Sequence, residues 1–474
     1  MVGIDALVPM EAQAREALVD AYLASRGLVR PQRTFLDKPW DASSLGQRTG
    51  DARDAVANGR KVALLVYERA CGDDGTFRYF GYNVAQHLAR SERWAGEMLF
   101  LDELSRADEL LGMASAVSLV RCRIRPELVE LVGKAKAAGA RVAYTIDDDI
   151  VGPATSEHVI DIMANDPSDP FEKAFWRGVS VRFQLASELA EAFVASTAPL
   201  AERLASRGEK PAYVLRSSLS DEQVASAEDA FAARNRGMEE RSDDRFVIGY
   251  FSGTSSHQDD FALVRDVLVR LLGEHEDACL LVGGHLMLDD ELLALYRAGR
   301  VVVMPRVDYV TLQYLQASAD VVLAPLVASS FADCKSGLKV FEAGAVGTPA
   351  CASGTHAYRE AIEDGVTGFV CDDAAAWGAA LERLYTGRGL CRGMGEAARE
   401  RALTRYHGDA VRTEAEEALD SLSELPHVPV PGGLATRMAA SGVSNWDDPF
   451  DANPAFADLV PLCDSVRSCA TDGF

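Results

Sequence analysis

Short, uninterrupted apolar runs recur along this chain, separated by glycine loops and helix-length segments, and few folds accommodate that alternation. The first run, residues 62–67, reads VALLVY. A run so short and apolar on both faces suits a parallel strand covered by helices above and below, since a strand with one wet face would alternate. A loop over residues 71–76 follows, with glycines at 72 and 75, and then Tyr82, Val84, Ala85 and Leu88 mark a helix. Strand, glycine loop and helix together open a doubly wound unit. Runs at 116–120, 141–146, 192–196 and 212–215, with a helix at 126–138, extend this first series. A second begins at 246–251 and continues through 278–282, 300–304, 319–324, 349–352 and 368–371. Between the two, residues 221–244 are rich in Glu, Asp, Arg and Ala, and read as a linker helix or hinge. The expectation is an α/β protein with two Rossmann-like doubly wound domains facing each other across a cleft.

At 474 residues the chain exceeds one ordinary core. Residues 58–220 and 245–410 are assigned to the two domains. Residues 1–57, broken by Pro31 and Pro39, read as a helical N-terminal extension and not as part of a sheet. Residues 411–474 read as the end of a helix over 393–425 followed by a wrapping tail, with Pro426, Pro429, Pro431, Gly432 and Gly433 marking the change and an acidic stretch at 446–450. The balance of 48 basic against 72 acidic residues gives a net charge of −24, which opposes nucleic acid and anionic lipid as partners. Asp5, Glu11, Arg15, Glu16 and Asp20 interrupt any signal-like run near the start, and no window suits a membrane-spanning helix. Nine scattered cysteines without a CxxC pair predict neither a disulfide scaffold nor a zinc site, and fit a reducing cytoplasm.

Chemistry concentrates in residues 333–349, DCKSGLKVFEAGAVGTP, which lie between two strand patterns. As one helix this segment places Lys335, Lys339 and Glu342 on one stripe and Leu338, Phe341 and Ala345 on an adjacent one. The helix would start beside the carboxyl edge of a sheet, where unpaired N–H groups and the helix dipole favour an anion such as a diphosphate. Seven residues carry Glu342 roughly 10 Å further along the axis, about the reach from a diphosphate to a ribose. A nucleotide-sugar is therefore the expected ligand. The bland alternatives are a solvated lysine face and an ordinary helix ion pair to Glu342.

Several stretches together resemble the carboxyl-terminal domain of a GT-B glycosyltransferase of the large retaining group called family 4. They are residues 320–325 (DVVLAP), Lys335 to Glu342, Gly347-Thr348-Pro349 and residues 363–369 (EDGVTGF). Residues 248–261, IGYFSGTSSHQDDF, are similar to a subgroup of bacterial polysaccharide-type transferases. The likeness is good over 245–410 and faint over 60–220. It implies a metal-independent hexosyltransferase that moves a sugar from a UDP- or GDP-linked donor to a glycan, lipid-linked or protein acceptor with retention, needs no separate cofactor, and serves glycan biosynthesis. The donor would be held by Lys335, Ser336, Gly337, Leu338 and Lys339, with Lys335 acting in catalysis and Glu342 on the ribose. Gly253, Thr254 and His257 would contribute from the earlier loop, and Arg306 and Val307 from the loop that holds the base. One departure stands out. Many members carry two glutamates, and the first falls here on Cys334, with Asp333 beside it.

In the first, acceptor-side domain the resemblance places Gly75 and Thr76 over the donor, with Arg78 near an anionic group. Asp147, Asp148 and Asp149 end a strand; Asp147 is assigned to the acceptor side, with a helix cap as the alternative. Their Asp-x-Asp spacing binds metal in the other glycosyltransferase fold, which two Rossmann-like halves argue against, and Arg121 and Arg123 could simply pair with them. Asp259 or Asp260 could cap the helix after His257. A noncatalytic transferase-like partner and a nonhydrolysing nucleotide-sugar epimerase share this architecture and stay open.

Overall fold

The computed structural model describes residues 1–31, 38–72, 74–156, 159–160, 168–240, 242–443, 445–446, 456 and 459. Two compact units emerge, a first of residues 38–220 with 408–474 and a second of 1–37 with 221–407. Each is built on its own six-stranded, wholly parallel sheet with its own apolar core. In chain order the strands are β1 (Val2–Gly3), β2 (Lys61–Tyr67), β3 (Trp94–Phe100), β4 (Ala114–Val120), β5 (Arg141–Ile146), β6 (Ala192–Ala195), β7 (Ala212–Val214), β8 (Phe246–Ser252), β9 (Ala278–Gly284), β10 (Met287–Leu288), β11 (Val301–Met304), β12 (Val321–Ala324), β13 (Ala350–Ser353) and β14 (Gly368–Cys371).

The first sheet runs β3-β2-β4-β5-β6-β7 and the second β11-β9-β8-β12-β13-β14. Both are doubly wound, as the apolar runs predicted. Central strands such as β8 and β12 are buried along their whole length, which is why their sequences lack alternation. In the second sheet the chain works outward from β8 in one direction and then in the other, so strand order reverses between β8 and β12. Ligands of open parallel sheets bind outside the carboxyl ends of the strands at such a reversal. The first sheet reverses between β2 and β4.

Several expectations need correction. β3 is absent from the sequence reading because Gly96 and Glu97 break its apolar run. It is an edge strand paired only to β2, and a Cβ at Gly96 would come within 2.8 Å of Ala85 Cα, so glycine is what lets the Asn83–Ala89 helix lie on it. The N-terminal extension does join a sheet: Val2 and Gly3 pair antiparallel with Leu288 and Met287. Its remaining described part is helical over Ala12–Ser25 and Leu45–Ala57, the latter opened by a Ser44–Gln47 capping box. Of the two readings of residues 221–244, linker helix or hinge, the segment is a helix, Asp221–Glu240, and it packs within the second unit against the Tyr309–Ser318 and Leu338–Ala345 helices. The long helix read over 393–425 is two, Arg388–Arg405 and Asp409–Ser423, parted at Gly408 with φ +68°. Residues 447–450 of the acidic stretch lie outside the described residues. Among the described residues no helix is long and apolar enough to cross a membrane.

Candidate functional site

The reversal point of the second sheet gathers the loop after β8 and the loop after β12. The segment after β12 is not one continuous helix. A 3-10 turn spans Ala332–Cys334, Lys335 is extended with ψ 149°, and the helix itself covers Leu338–Ala345 behind Gly337. Lys335 therefore precedes the helix instead of sharing a stripe with Lys339 and Glu342, and only four residues separate Leu338 from Glu342, roughly 6 Å of rise. Phe341 on the inner face stacks on Tyr406 at 4.3 Å and fixes the helix against its unit.

Lys339 is the unusual member. Its ammonium nitrogen is buried with no hydrogen-bond partner, 5.9 Å from the centre of the Tyr250 ring. Burial pushes its pKa down to about 8, with the Asp260 charge pulling upward and Lys335 adding repulsion. Lys335 lies 4.6 Å over the Phe331 ring. From the β8 loop, His257 donates from Nδ1 to Asp260 Oδ2 at 2.7 Å, and Asp260 Oδ1 accepts the Val327 N–H at 2.7 Å. Asp260 thus ties the β8 loop to the β12 loop, and does not cap the helix. Burial pushes its carboxyl upward, yet the bonds from His257 and Val327 and the Lys339 charge together hold it below the usual range. Burial, reinforced by the two lysines, holds His257 below its ordinary value. Neutral His257 with Nδ1–H on a carboxylate leaves Nε2 bearing a lone pair. Tyr250 donates its hydroxyl to His257 O at 3.1 Å, which sets the turn.

Two ammonium groups, a histidine and one carboxylate therefore converge at the place the topology reserves for a ligand. The group can neutralise a polyanion. Residues 245–387 match the family model of group 1 glycosyl transferases. That stretch holds His257, Asp260, Lys335, Lys339 and Glu342. No curated protein matches the chain. Solved structures that it is similar to include a glycosyltransferase from Rickettsia africae (14% identity, 77% of this chain and 100% of that one, TM-score 0.49). HepE from Anabaena in complex with UDP is another (13%, 77% and 100%, 0.47). Sucrose-phosphate synthase from Thermosynechococcus elongatus is a third (13%, 77% and 99%, 0.48).

The remaining expected residues fall into place unevenly. Glu342 is 9% exposed and one turn beyond Lys339 on the same helix. Ser336 and Leu338 are half-buried and Gly337 buried at the helix start. Gly253 and Thr254 are exposed; Ser252 Oγ donates to Thr254 O at 2.7 Å, closing the turn. Arg306 is exposed and Val307 half-buried in the loop after β11, two strands from β8, where Asp308 caps the next helix through the Thr311 N–H. Cys334 is 1% exposed and directs its thiol to Ser330 O, whereas the Asp333 carboxylate is exposed and accepts the His356 N–H at 3.3 Å.

In the first unit, Thr76 donates to Asp147 Oδ2 at 2.9 Å, and Arg121 reaches Thr76 Oγ1, Asp147 and Asp148 at 3.0, 3.2 and 3.4 Å. The three loops follow β2, β4 and β5 at one sheet edge. Arg121 adopts φ +48°, a conformation disfavoured for a long side chain. Burial raises the Asp147 pKa despite Arg121, and Asp148 adds to the rise. Asp149 is occupied by Arg203 and Arg207, so the Asp-x-Asp carboxylates are not jointly available to a metal. Gly75 is exposed within the Asp74–Phe77 turn, and Arg78 is buried with its guanidinium 5.5 Å from the Trp40 ring. Arg123 lies 5.1 Å over Phe183. Asp260, Val327 and Tyr250 went unrecognised as site-forming residues; only the His257–Asp260 spacing, one helical turn, hinted at the first.

Proposed function

We propose that the protein is a glycosyltransferase that moves a sugar from a nucleoside-diphosphate donor, UDP- or GDP-linked, to a glycan, lipid-linked or protein acceptor, with retention. The reading is carried by the Lys339 ammonium, buried without a partner at the reversal point of a sheet whose residues match group 1 glycosyl transferases. A buried ammonium with no hydrogen-bond partner is unfavourable until an anion arrives. A diphosphate supplies that charge, and it gains more as the bond from its oxygen to the anomeric carbon breaks, so Lys335 and Lys339 stabilise the leaving group. His257 Nε2, once protonated, donates to the same group. Gly337 and Leu338 offer backbone N–H groups at the helix start, and Glu342 accepts from the ribose hydroxyls. The acceptor oxygen bonds to the anomeric carbon on the face the diphosphate leaves, and its proton passes to the departing phosphate oxygen. Asp147, held by Thr76 and Arg121, is assigned to orienting the acceptor. No metal is required where lysines neutralise the diphosphate.

Titration calorimetry with UDP and GDP tests the reading; heat from neither would sink it. Cys334, buried where many relatives place a glutamate, favours a second reading, a noncatalytic partner that binds donor without transfer. Donor hydrolysis without acceptor, lost in Glu342→Ala, decides for the enzyme.

A further inference from the structure

Asp260 uses both of its oxygens. One accepts from His257 Nδ1 and the other accepts the Val327 N–H, each at 2.7 Å. Because an ionised carboxylate only accepts, the neutral imidazole has a single arrangement, Nδ1–H toward Asp260 and Nε2 bare. Among the described residues that Nε2 has no partner, and it is not sealed off as the Lys339 nitrogen is. We propose that Asp260 is a positioning residue, holding His257 so that Nε2 takes up a proton as a diphosphate enters and donor binding becomes proton-coupled. This rests on the transferase reading.

The charges that face His257 set the balance. Asp260 stands one turn on, in the Gln258–Glu274 helix; Lys339 acts on the ring from the Leu338–Ala345 helix and Lys335 from the segment before it. Tyr250 on β8 donates to the His257 carbonyl, and Tyr358 on the His356–Ala361 helix acts on Asp260. Burial raises both phenols, so neither exchanges a proton near neutrality. In the free protein burial and the two lysines outweigh Asp260, and the ring is neutral near pH 7. A diphosphate reverses that balance. It offsets the lysines and places a second anion across the ring from Asp260, so an imidazolium stands between two negative groups. The proton passes from the buffer to the Nε2 lone pair, and no other bond changes.

Asp260→Asn separates this role from packing. The Val327 N–H still needs an acceptor, so the amide oxygen of the new side chain turns to Val327 and its NH2 faces His257 Nδ1. Nδ1 must then accept, and the ring's one proton moves to Nε2. The shape is kept while the atom offered to a ligand changes from acceptor to donor, the same inversion of tautomer that an Asp-to-Asn change produces in a serine-protease triad.

Two measurements on the full chain test the proposal. Nitrogen NMR of the free protein near pH 8 should show His257 protonated at Nδ1 and bare at Nε2 in the wild type, and the reverse in Asp260→Asn. Calorimetry with UDP and GDP at pH 7, in two buffers of different ionisation heat, should show uptake of about half a proton or more by the wild type. Other sources nearly cancel there. Lys339, at about 8, is about nine-tenths protonated before binding, and the terminal phosphate, with its second pKa about 6, is about nine-tenths ionised. Uptake should fall close to zero in His257→Asn and in Asp260→Asn. A wild-type ring protonated at Nε2, or nucleotide binding without proton uptake, overturns the proposal and leaves the transferase reading standing. So does uptake that persists in His257→Asn. If neither nucleotide binds, the transferase reading falls and the coupling falls with it.

Discussion

Replacing Lys339 with methionine keeps an unbranched apolar stem, one atom shorter, and removes the ammonium, so it tests what that unpaired group does. Burial lowers this group from 10.5 to about 8, a difference of about 2.5 pKa steps. At about 1.36 kcal/mol per step, the native state is disfavoured by at most about 3 kcal/mol wherever the lysine is charged in both states. The sign follows from proton counting. Between pH 8 and 10.5 the unfolded chain holds the proton and the folded chain has released it, so wild-type stability rises with pH across that window. Below pH 8 both states are protonated and the full cost is present. Lys339→Met should therefore be more stable than wild type at pH 7 by up to about 3 kcal/mol in urea unfolding, and the gap should close as pH approaches 10.5. UDP should close most of the gap, because the wild type gains roughly 2.7 kcal/mol at one hundred times its dissociation constant. A variant that is destabilised, or whose difference from wild type does not change with pH, would mean that the Lys339 ammonium is not a buried, uncompensated charge.

Glu342→Ala should weaken UDP about tenfold or more in calorimetry, the loss of charge-assisted bonds worth about 1.5–3 kcal/mol, while leaving free diphosphate binding nearly intact. His257 resists protonation in the folded state, so wild-type stability should fall as pH drops below its unfolded value of about 6.5, a slope that His257→Asn lacks in pH-resolved melting. Asp147→Asn should lower kcat for transfer with little effect on UDP affinity, and a parallel loss of UDP affinity would remove Asp147 from the acceptor side. Gly347 has φ +76°, and a Cβ there would fall 2.5 Å from Phe231, so Gly347→Ala should cost about 2–3 kcal/mol in urea unfolding by straining the turn and pushing the Asp221–Glu240 helix.

The fold was legible wherever burial on both faces leaves an uninterrupted apolar run. β2, β5, β8 and β12 are examples, since a parallel strand covered on both faces favours apolar side chains along most of its length. It was illegible at β3, an edge strand whose Gly96 answers to a neighbouring helix and not to the sheet. The site was half legible. Lys335, Lys339 and Glu342 stand out by type and spacing, but a uniform helical period over 333–345 misplaced Lys335, because Gly337 and the 3-10 turn delay the helix.

By itself the sequence determined the α/β alternation, two parallel sheets, and the segment in which cationic and acidic groups meet, because periodicity and residue type are local properties. Only tertiary structure decided which groups are charged and which are partnered. The burial of the Lys339 ammonium and the Asp260 bridge between loops whose residues lie 67 positions apart depend on what distant segments bring near. Desolvation and hydrogen bonding are set by those neighbours, and no spacing along the chain encodes them.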